Sequence, residues 1–297
     1  MKLSQLRKLV AVAEAGSVRQ ASRDLNVSQS AVTKSIKQLE EHLGVELFHR
    51  ESHGVVPTAA GLAMVARAKV IESELRQARN DIEAVQGANS GEIRVSASPT
   101  VAMGLLPKAI LSFKKTRPDV TFQIEEGLYP AVLPAIRMGE LDLAICLVPE
   151  RPTDDELHFE LLVRDRLTPA VRDGHPLTEQ RNLSFSDLLS YNWVIYRRNK
   201  TRRDIFEQTF ISHDLEPPRN TIKCTSFACA MSLVESSDYV TLVPEKIFAG
   251  KSMLGNITPL RMGTSMPPWN VMVITRAEHV LSPLCMAFLK ELRKVTP

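Results

Sequence analysis

The amino-acid sequence predicts an α/β chain in three parts: a helix-rich N-terminal winged helix-turn-helix, a long linker helix, and a C-terminal α/β domain. Three observations carry this. Short amphipathic patterns, punctuated by Ser caps and Gly stops, fill the chain as far as Gly44. A heptad of apolar residues runs from Met64 to Val85. From residue 91 onward, strand-like and helix-like segments alternate to the C-terminus.

With 297 residues, 44% hydrophobic and 24% charged, the composition is that of a folded protein of two or three domains. The net charge of +3 permits nucleic acid as a partner without requiring it. The longest stretch free of Asp, Glu, Lys and Arg is Met262–Thr275, 14 residues, too short for a spanning helix of about 20. The apolar run Leu9–Ala13 stops at Glu14, so no secretory signal is expected. Cys146, Cys224, Cys229 and Cys285 form no C-x-x-C pair, which points to a reduced cytoplasm. No phosphate-binding loop or dinucleotide fingerprint occurs. In Gly87-Ala88-Asn89-Ser90-Gly91 the Ser comes one position too late for a nucleophile elbow. His49 and His53 have a metal-binding spacing, but Glu51-Ser52 and Gly54 read as a turn, so no metal site is expected.

The first helix has Leu3, Leu6, Leu9, Val10 and Ala13 on one face, with Ser4 as its cap and Gly16 as its end. Ser17 caps a second helix whose inward side is Val18, Ala21 and Leu25; the small Ala21 lets it cross the third closely. After the Asn26-Val27 turn, Ser28 caps the third helix, with Val32, Ile36, Leu39 and Leu43 inward and Gly44 as the stop. Its outward residues are Gln29, Ser30, Thr33, Lys34 and Lys37, with Glu40 and Glu41 held to the end. Amides and hydroxyls read base edges and Lys offsets phosphate charge; the alternative is a solvated face. Val45–Arg50 and Val55–Pro57 flank a Gly54-containing turn as a wing, with Arg50 and His53 as candidate phosphate contacts.

Thr58 caps a long helix reaching about Gly87, some 45 Å at 1.5 Å per residue. Met64, Ala68, Ile71, Leu75, Ala78, Ile82 and Val85 form a strict seam, narrower than the stripe of a helix lying on a globule. A seam with a second copy is therefore expected, pairing two DNA-reading heads over a two-fold site. Residues 87–91 read as a hinge.

Beyond it, strands are expected at Ile93–Ser98, Val120–Glu125, Leu141–Leu147, Trp193–Tyr196, Thr221–Cys224, Tyr239–Val243 and Val271–Thr275. Helices are expected at Leu105–Thr116, Ala131–Met138, Thr201–Ser212, Ser226–Glu235 and Ser282–Val295. Leu157–Val171 reads as an extended crossing segment. The alternation implies parallel sheets covered by helices.

Residues 1–64 resemble the N-terminal domain of the LysR-type transcriptional regulators. The resemblance rests on Val10-Ala11-Val12, Gly16-Ser17, Ala21-Ser22 and Val27-Ser28-Gln29-Ser30-Ala31-Val32. It continues through Leu39-Glu40, Leu43-Gly44-Val45, Leu47-Phe48, Pro57-Thr58 and Ala60-Gly61. It extends more loosely through Leu106-Pro107, Pro118-Asp119-Val120, Leu141-Asp142-Leu143, Gly174-His175-Pro176-Leu177 and Leu242-Val243-Pro244; Ser236-Ser237-Asp238 departs from the Gly-containing turn common there. The resemblance implies a DNA-binding domain at 1–57, a linker/dimerisation helix and hinge at 58–90, and an effector-binding domain at 91–297. That last part is expected to resemble a periplasmic binding protein, with lobe one at 91–163 plus 268–297 and lobe two at 164–267. It also implies a homodimer or homotetramer binding double-stranded DNA, working with RNA polymerase and needing no cofactor. The DNA contacts would be Val18, Arg19, Gln20 and Ala21 with Ser28, Gln29, Ser30, Thr33, Lys34 and Lys37, plus Arg50 and His53 on the wing.

Ligands of open α/β sheets bind where strands end and helices begin. Ser98-Pro99-Thr100 and Thr225-Ser226 place hydroxyls at such points, one in each lobe, where plain helix capping is the alternative reading. Across a cleft they suit a small organic anion, an aromatic carboxylate or a sulfonate such as toluenesulfonate, with Tyr129 and Tyr196 as an apolar wall. Arg197-Arg198-Asn199-Lys200-Thr201-Arg202-Arg203 either attracts such an anion or is a solvated or subunit surface. Two other functions are weighed against an effector-responsive regulator. A thiol redox sensor would use Cys224 and Cys229, whose four intervening residues make bridging awkward. An enzyme on the C-terminal domain lacks a nucleophile–base pair, so no enzymatic activity is expected.

Overall fold

The computed structural model describes residues 1–51, 54–85, 90–149, 152–196, 205–249, 254–264, 266, 268–277 and 280–296. The chain divides into two units, residues 1–88 with 134–142 and residues 89–133 with 143–297.

The first unit opens with α1 (Leu3–Ala15), α2 (Val18–Asp24) and α3 (Gln29–Leu43), followed by β1 (Phe48–Glu51), β2 (Gly54–Pro57) and α4 (Ala59–Val85). Two expected caps form: Ser17 Oγ accepts from the Gln20 N–H and Ser28 Oγ from the Ala31 N–H. Ser4 is no cap; α1 begins one residue before it, and the Lys2 N–H is taken by Oε1 of Gln5 at 2.8 Å. Gly44 ends α3 in the left-handed region, φ 72°. Leu6, Leu9, Val10, Ala21, Val32, Ile36 and Leu39 make one core, completed by Leu47 and by Ala68 of α4. Gly61 admits this packing, because a Cβ there would lie 2.0 Å from the Leu47 carbonyl oxygen.

The heptad seam of α4 is therefore divided. Ala68 is 0% exposed, and Met64 and Ile71 lie against the same core. The expectation that these three face a second copy fails, because α1 packs along that part of the stripe within one chain. Leu75 is half-buried, while Ala78 and Ile82 are exposed, Ile82 by 59%. The Val85 side chain lies outside the described residues. On the same helix, Lys69 pairs with Glu14 at 2.7 Å and with Glu140, and Arg76 donates to Asp142 at 2.6 Å.

The remaining elements start with β3 (Gly91–Ala97), α5 (Pro99–Met103), α6 (Leu105–Lys114), β4 (Val120–Glu126), α7 (Leu133–Arg137), β5 (Leu143–Pro149), β6 (Leu157–Val163) and β7 (Leu167–Arg172). Then come β8 (Trp193–Tyr196), α8 (Ile205–Ile211), β9 (Thr221–Cys224), α9 (Phe227–Glu235), β10 (Thr241–Pro244), β11 (Ile257–Pro259), β12 (Trp269–Arg276) and α10 (Pro283–Val295). Lobe one is a five-stranded sheet in the order β4-β3-β5-β12-β6, and lobe two holds the sheets β10-β7-β11 and β8-β9.

The sheets are mixed, which corrects the all-parallel expectation. β3 runs parallel to β4 and β5, and β8 to β9, but β12 is antiparallel to β5 and β6, and β7 to β10 and β11. The reason is connectivity: β6 leads the chain out of lobe one and β12 brings it back, so the returning strand runs against its neighbours. The expected crossing segment resolves into β6 in lobe one and β7 in lobe two. Each lobe has its own core. Lobe one packs Phe113, Phe122 and Phe288 edge-on, with centroids 5.1–5.9 Å apart. Lobe two centres on Trp193 with Phe206 and Phe210.

Candidate functional site

Two surfaces come from the sequence reading, a helix face in the first unit and a cleft in the second. On α3 the residues Gln29, Ser30, Thr33, Lys34 and Lys37 are all exposed, while Val32, Ser35, Ile36 and Leu39 are buried on the opposite side. The 3.6-residue period thus sorts readers from core. Ser28 Oγ lies 3.0 Å from Ser30 Oγ, and the Thr33 hydroxyl donates to the Gln29 carbonyl at 3.0 Å. On α2, Arg19 and Gln20 are exposed, with Gln20 Nε2 donating to Asp24 at 2.8 Å. Val18 is half-buried on the core. Ala21 is 0% exposed at the crossing of α2 and α3, so its place among the DNA contacts is withdrawn: no ligand surface reaches it. Arg50 is exposed on β1, and His53 lies outside the described residues.

Glu40 has a role that sequence reasoning missed. Its carboxylate accepts from the Leu47 N–H at 2.8 Å and the Phe48 N–H at 3.4 Å, tying the start of the wing to α3. The outer face therefore carries Arg19, Lys34, Lys37 and Arg50 beside amides and hydroxyls, while this acid is spent internally. Such a surface can neutralise phosphates and present donors and acceptors to base edges.

In the second unit, Ser98 follows β3 and is the N-cap of α5, yet its hydroxyl makes no cap bond. The residue is 2% exposed, and its Oγ has no hydrogen-bond partner among the described residues. Ser96 Oγ, one strand step earlier on the same face, is likewise buried and unpartnered. Pro99 is buried and Thr100 half-buried. Opposite Ser96, a Cβ at Gly127 would lie 2.4 Å from its Oγ, so the β4 exit requires glycine. Helix α5 has only five residues, so little helix dipole supports an anion at Ser98. In lobe two, Thr225 and Ser226 are exposed, and Ser226 Oγ accepts the Cys229 N–H at 3.3 Å as a cap of α9. The capping alternative thus holds for Ser226 and fails for Ser98.

Tyr196, at the end of β8, donates its hydroxyl to Glu126 at the end of β4 at 3.0 Å. This bond joins the two lobes. The Tyr196 ring also meets Phe227 edge-on at 5.4 Å. Glu126 was not among the expected site residues; its signal in the sequence is a carboxylate pair at a strand end. Tyr129 packs edge-on to Phe159 of β6 at 6.4 Å, and burial, with Asp154 nearby, raises its phenol above the usual range. No hydrogen bond among the described residues joins Ser98 or Thr100 directly to Thr225 or Ser226. The cluster Arg197–Arg203 lies outside the described residues.

A cavity of about 310 Å³ lies elsewhere in lobe one, between β6, β12 and α10; Leu289, Val273 and Met286 line it, and the Glu160–Arg293 pair borders it. Among the described residues no cluster of three metal-ligating side chains occurs, and no helix is long and apolar enough to cross a membrane.

Residues 3–62 match the family model for a bacterial regulatory helix-turn-helix protein of the lysR family, and residues 86–297 match the LysR substrate binding domain. An uncharacterized HTH-type transcriptional regulator, YdcI of Escherichia coli (strain K12), is 28% identical over 100% of this chain and 96% of its own. The HTH-type transcriptional regulator PcaQ of Agrobacterium fabrum (strain C58 / ATCC 33970) is 29% identical over 90% and 87%. Among solved structures, CbnR, a LysR family transcriptional regulator, superposes with a TM-score of 0.70 at 22% identity, covering 100% of both chains.

Proposed function

The chain belongs to the LysR family of DNA-binding transcriptional regulators, and on that premise we propose that it is switched by a small organic anion bound between the lobes of residues 91–297. In this reading α3 enters the major groove with Gln29, Ser30 and Thr33 toward bases, and Lys34 and Lys37 toward phosphates. Arg19 and Gln20 on α2 and Arg50 on the wing hold the backbone. The protein acts as a dimer paired through the free half of the α4 seam, with a tetramer, and contact to RNA polymerase, as further assembly.

The observation that carries the effector reading is Ser98. A buried hydroxyl without a partner costs about 1–3 kcal/mol, and such groups persist where a ligand completes them. Ser98 and Thr100 hold the acid group, and Thr225 and Ser226 close on it from lobe two. An aromatic carboxylate or sulfonate fits this donor set, with Tyr196 against its ring. Glu126 favours a second reading: a carboxylate at the mouth of the cleft attracts an effector carrying a hydroxyl or amino donor.

A thermal-shift series on the full chain tests both. Benzoate and p-toluenesulfonate are expected to raise the melting temperature, and neutral benzamide to do so far less. A ligand at 100 times its dissociation constant adds about 2.7 kcal/mol. A shift with benzylamine and none with the acids would replace the anion reading with the donor reading at Glu126.

A further inference from the structure

Cys224 closes β9, and Cys229 is the third residue of α9. The structure overturns the expectation that the four residues between them keep the thiols apart. Ser226 caps α9 and accepts the Cys229 N–H, which turns the first helical turn back over the strand end. The Cys229 thiol is thereby in hydrogen-bond contact with the Cys224 thiol. Cys224 Sγ also donates to the Ser226 carbonyl at 3.1 Å. Cys229 is exposed and Cys224 partly so, whereas Cys146 and Cys285 are buried, and burial pushes the Cys146 thiol up to about 12. The reactive pair and the inert pair are thus separated by geometry.

We propose that Cys224 and Cys229 are a modification site, at which a hydroperoxide converts the two thiols to an intramolecular disulfide. The exposed Cys229 reacts first as its thiolate. Its sulfur attacks the O–O bond of hydrogen peroxide, hydroxide leaves, and a sulfenic acid forms. The Cys224 thiolate then attacks that sulfur and expels the hydroxyl as hydroxide. The two thiol protons convert both hydroxides to water, so two thiols and one hydrogen peroxide give one disulfide and two waters. The two electrons pass from sulfur to peroxide oxygen. A second thiol already in contact captures the sulfenic acid before further oxidation. The neighbouring Cys224 holds the Cys229 thiol protonated above its ordinary range, so the reaction accelerates as pH rises above neutral.

The location gives the modification a consequence. The disulfide closes a ring over residues 224–229, which contains Thr225, Ser226 and Phe227. Phe227 touches Tyr196, and Tyr196 holds Glu126 of lobe one. Closing the ring removes the Cys224 bond to the Ser226 carbonyl and immobilises the lobe-two hydroxyls, so oxidation state and lobe contact are coupled through named contacts. Bond formation itself does not depend on the effector reading.

The test uses full-length reduced protein, near-equimolar hydrogen peroxide, and neutral and mildly alkaline pH. Thiols are titrated in the native state with an aromatic disulfide reagent, and peptides are mapped by mass. Expected is the loss of two titratable thiols per chain, faster at the higher pH. The peptide Cys224–Lys246 should become two hydrogens lighter, resist alkylation, and recover with dithiothreitol. Cys224→Ser and Cys229→Ser should each abolish that peptide and leave the remaining thiol to oxidise further or to link two chains. Circular dichroism identical to wild type shows that these variants fold. Retention of both thiols in the wild type, independent sulfinic acids on each, or a disulfide between chains would overturn the proposal.

Discussion

Replacing Ser98 by Ala is expected to make the protein more stable and a poorer effector binder at once. The substitution removes a hydroxyl that is buried and unpartnered among the described residues. It leaves both backbone bonds of Ser98 in place, the N–H to the Ile145 carbonyl at 3.0 Å and the carbonyl from the Ala102 N–H at 2.8 Å. No side-chain cap is lost, because none exists. What is gained is the desolvation penalty of an unsatisfied hydroxyl, about 1–3 kcal/mol, or about 2–4 °C in melting temperature per kcal/mol for a domain of this size. The same change at Ser226 has the opposite sign. There the Oγ accepts the Cys229 N–H, and losing an N-cap costs about 1 kcal/mol. Differential scanning fluorimetry of Ser98→Ala and Ser226→Ala, followed by calorimetry with the anion that shifts the wild type, measures both effects. Effector affinity should fall by about 1–3 kcal/mol in Ser98→Ala. A Ser98→Ala protein less stable than wild type by 1 kcal/mol or more, on the scale of a lost hydrogen bond, would show that the hydroxyl is satisfied and that the site argument is unsound.

Glutamate at Ala68 and at Ile82 should separate the two halves of the seam. The first buries a charge in the core of the first unit and costs several kcal/mol. The second leaves melting unchanged and shifts sedimentation from dimer to monomer; an intact Ile82→Glu dimer would refute the pairing. Lys34→Ala should weaken DNA binding on every sequence and reduce the salt slope by about one unit, while Gln29→Ala should relax preference at one base by about 1–3 kcal/mol; gel shifts over a salt series check both. Burial lowers the His175 pKa, assisted by Arg172 and opposed by Asp238. Its Nδ1 accepts the Leu177 N–H at 3.1 Å, which only the neutral ring allows. The unfolded chain therefore binds more protons, and this contribution is present above the ordinary value of 6.5 and is lost as pH falls through it toward the lower folded value. Melting curves across that window should slope less in His175→Gln than in wild type, and equal slopes would refute the assignment.

Local patterns were enough for the first unit. Caps at Ser17 and Ser28, the stop at Gly44 and the 3.6-residue spacing of Val32, Ile36 and Leu39 are determined within a few residues, so the helices and the outward face of α3 were legible in the sequence. The strands Trp193–Tyr196 and Thr221–Cys224 were legible for the same reason. What the sequence could not show depends on contacts between distant residues. An apolar stripe looks the same whether α1 or a second copy covers it, so only packing divided α4 at Ile71. Ser98 and Ser226 carry the same local signal, a hydroxyl between strand and helix, and only the fold leaves one buried without a partner while the other caps. Strand direction at β12 follows from a return across the whole domain rather than from the β-pattern of Trp269–Arg276. The meeting of Glu126 with Tyr196, and of Cys224 with Cys229, was likewise decided by tertiary structure, because a hydrogen bond or a thiol contact depends on where two side chains end and not on their spacing in the chain.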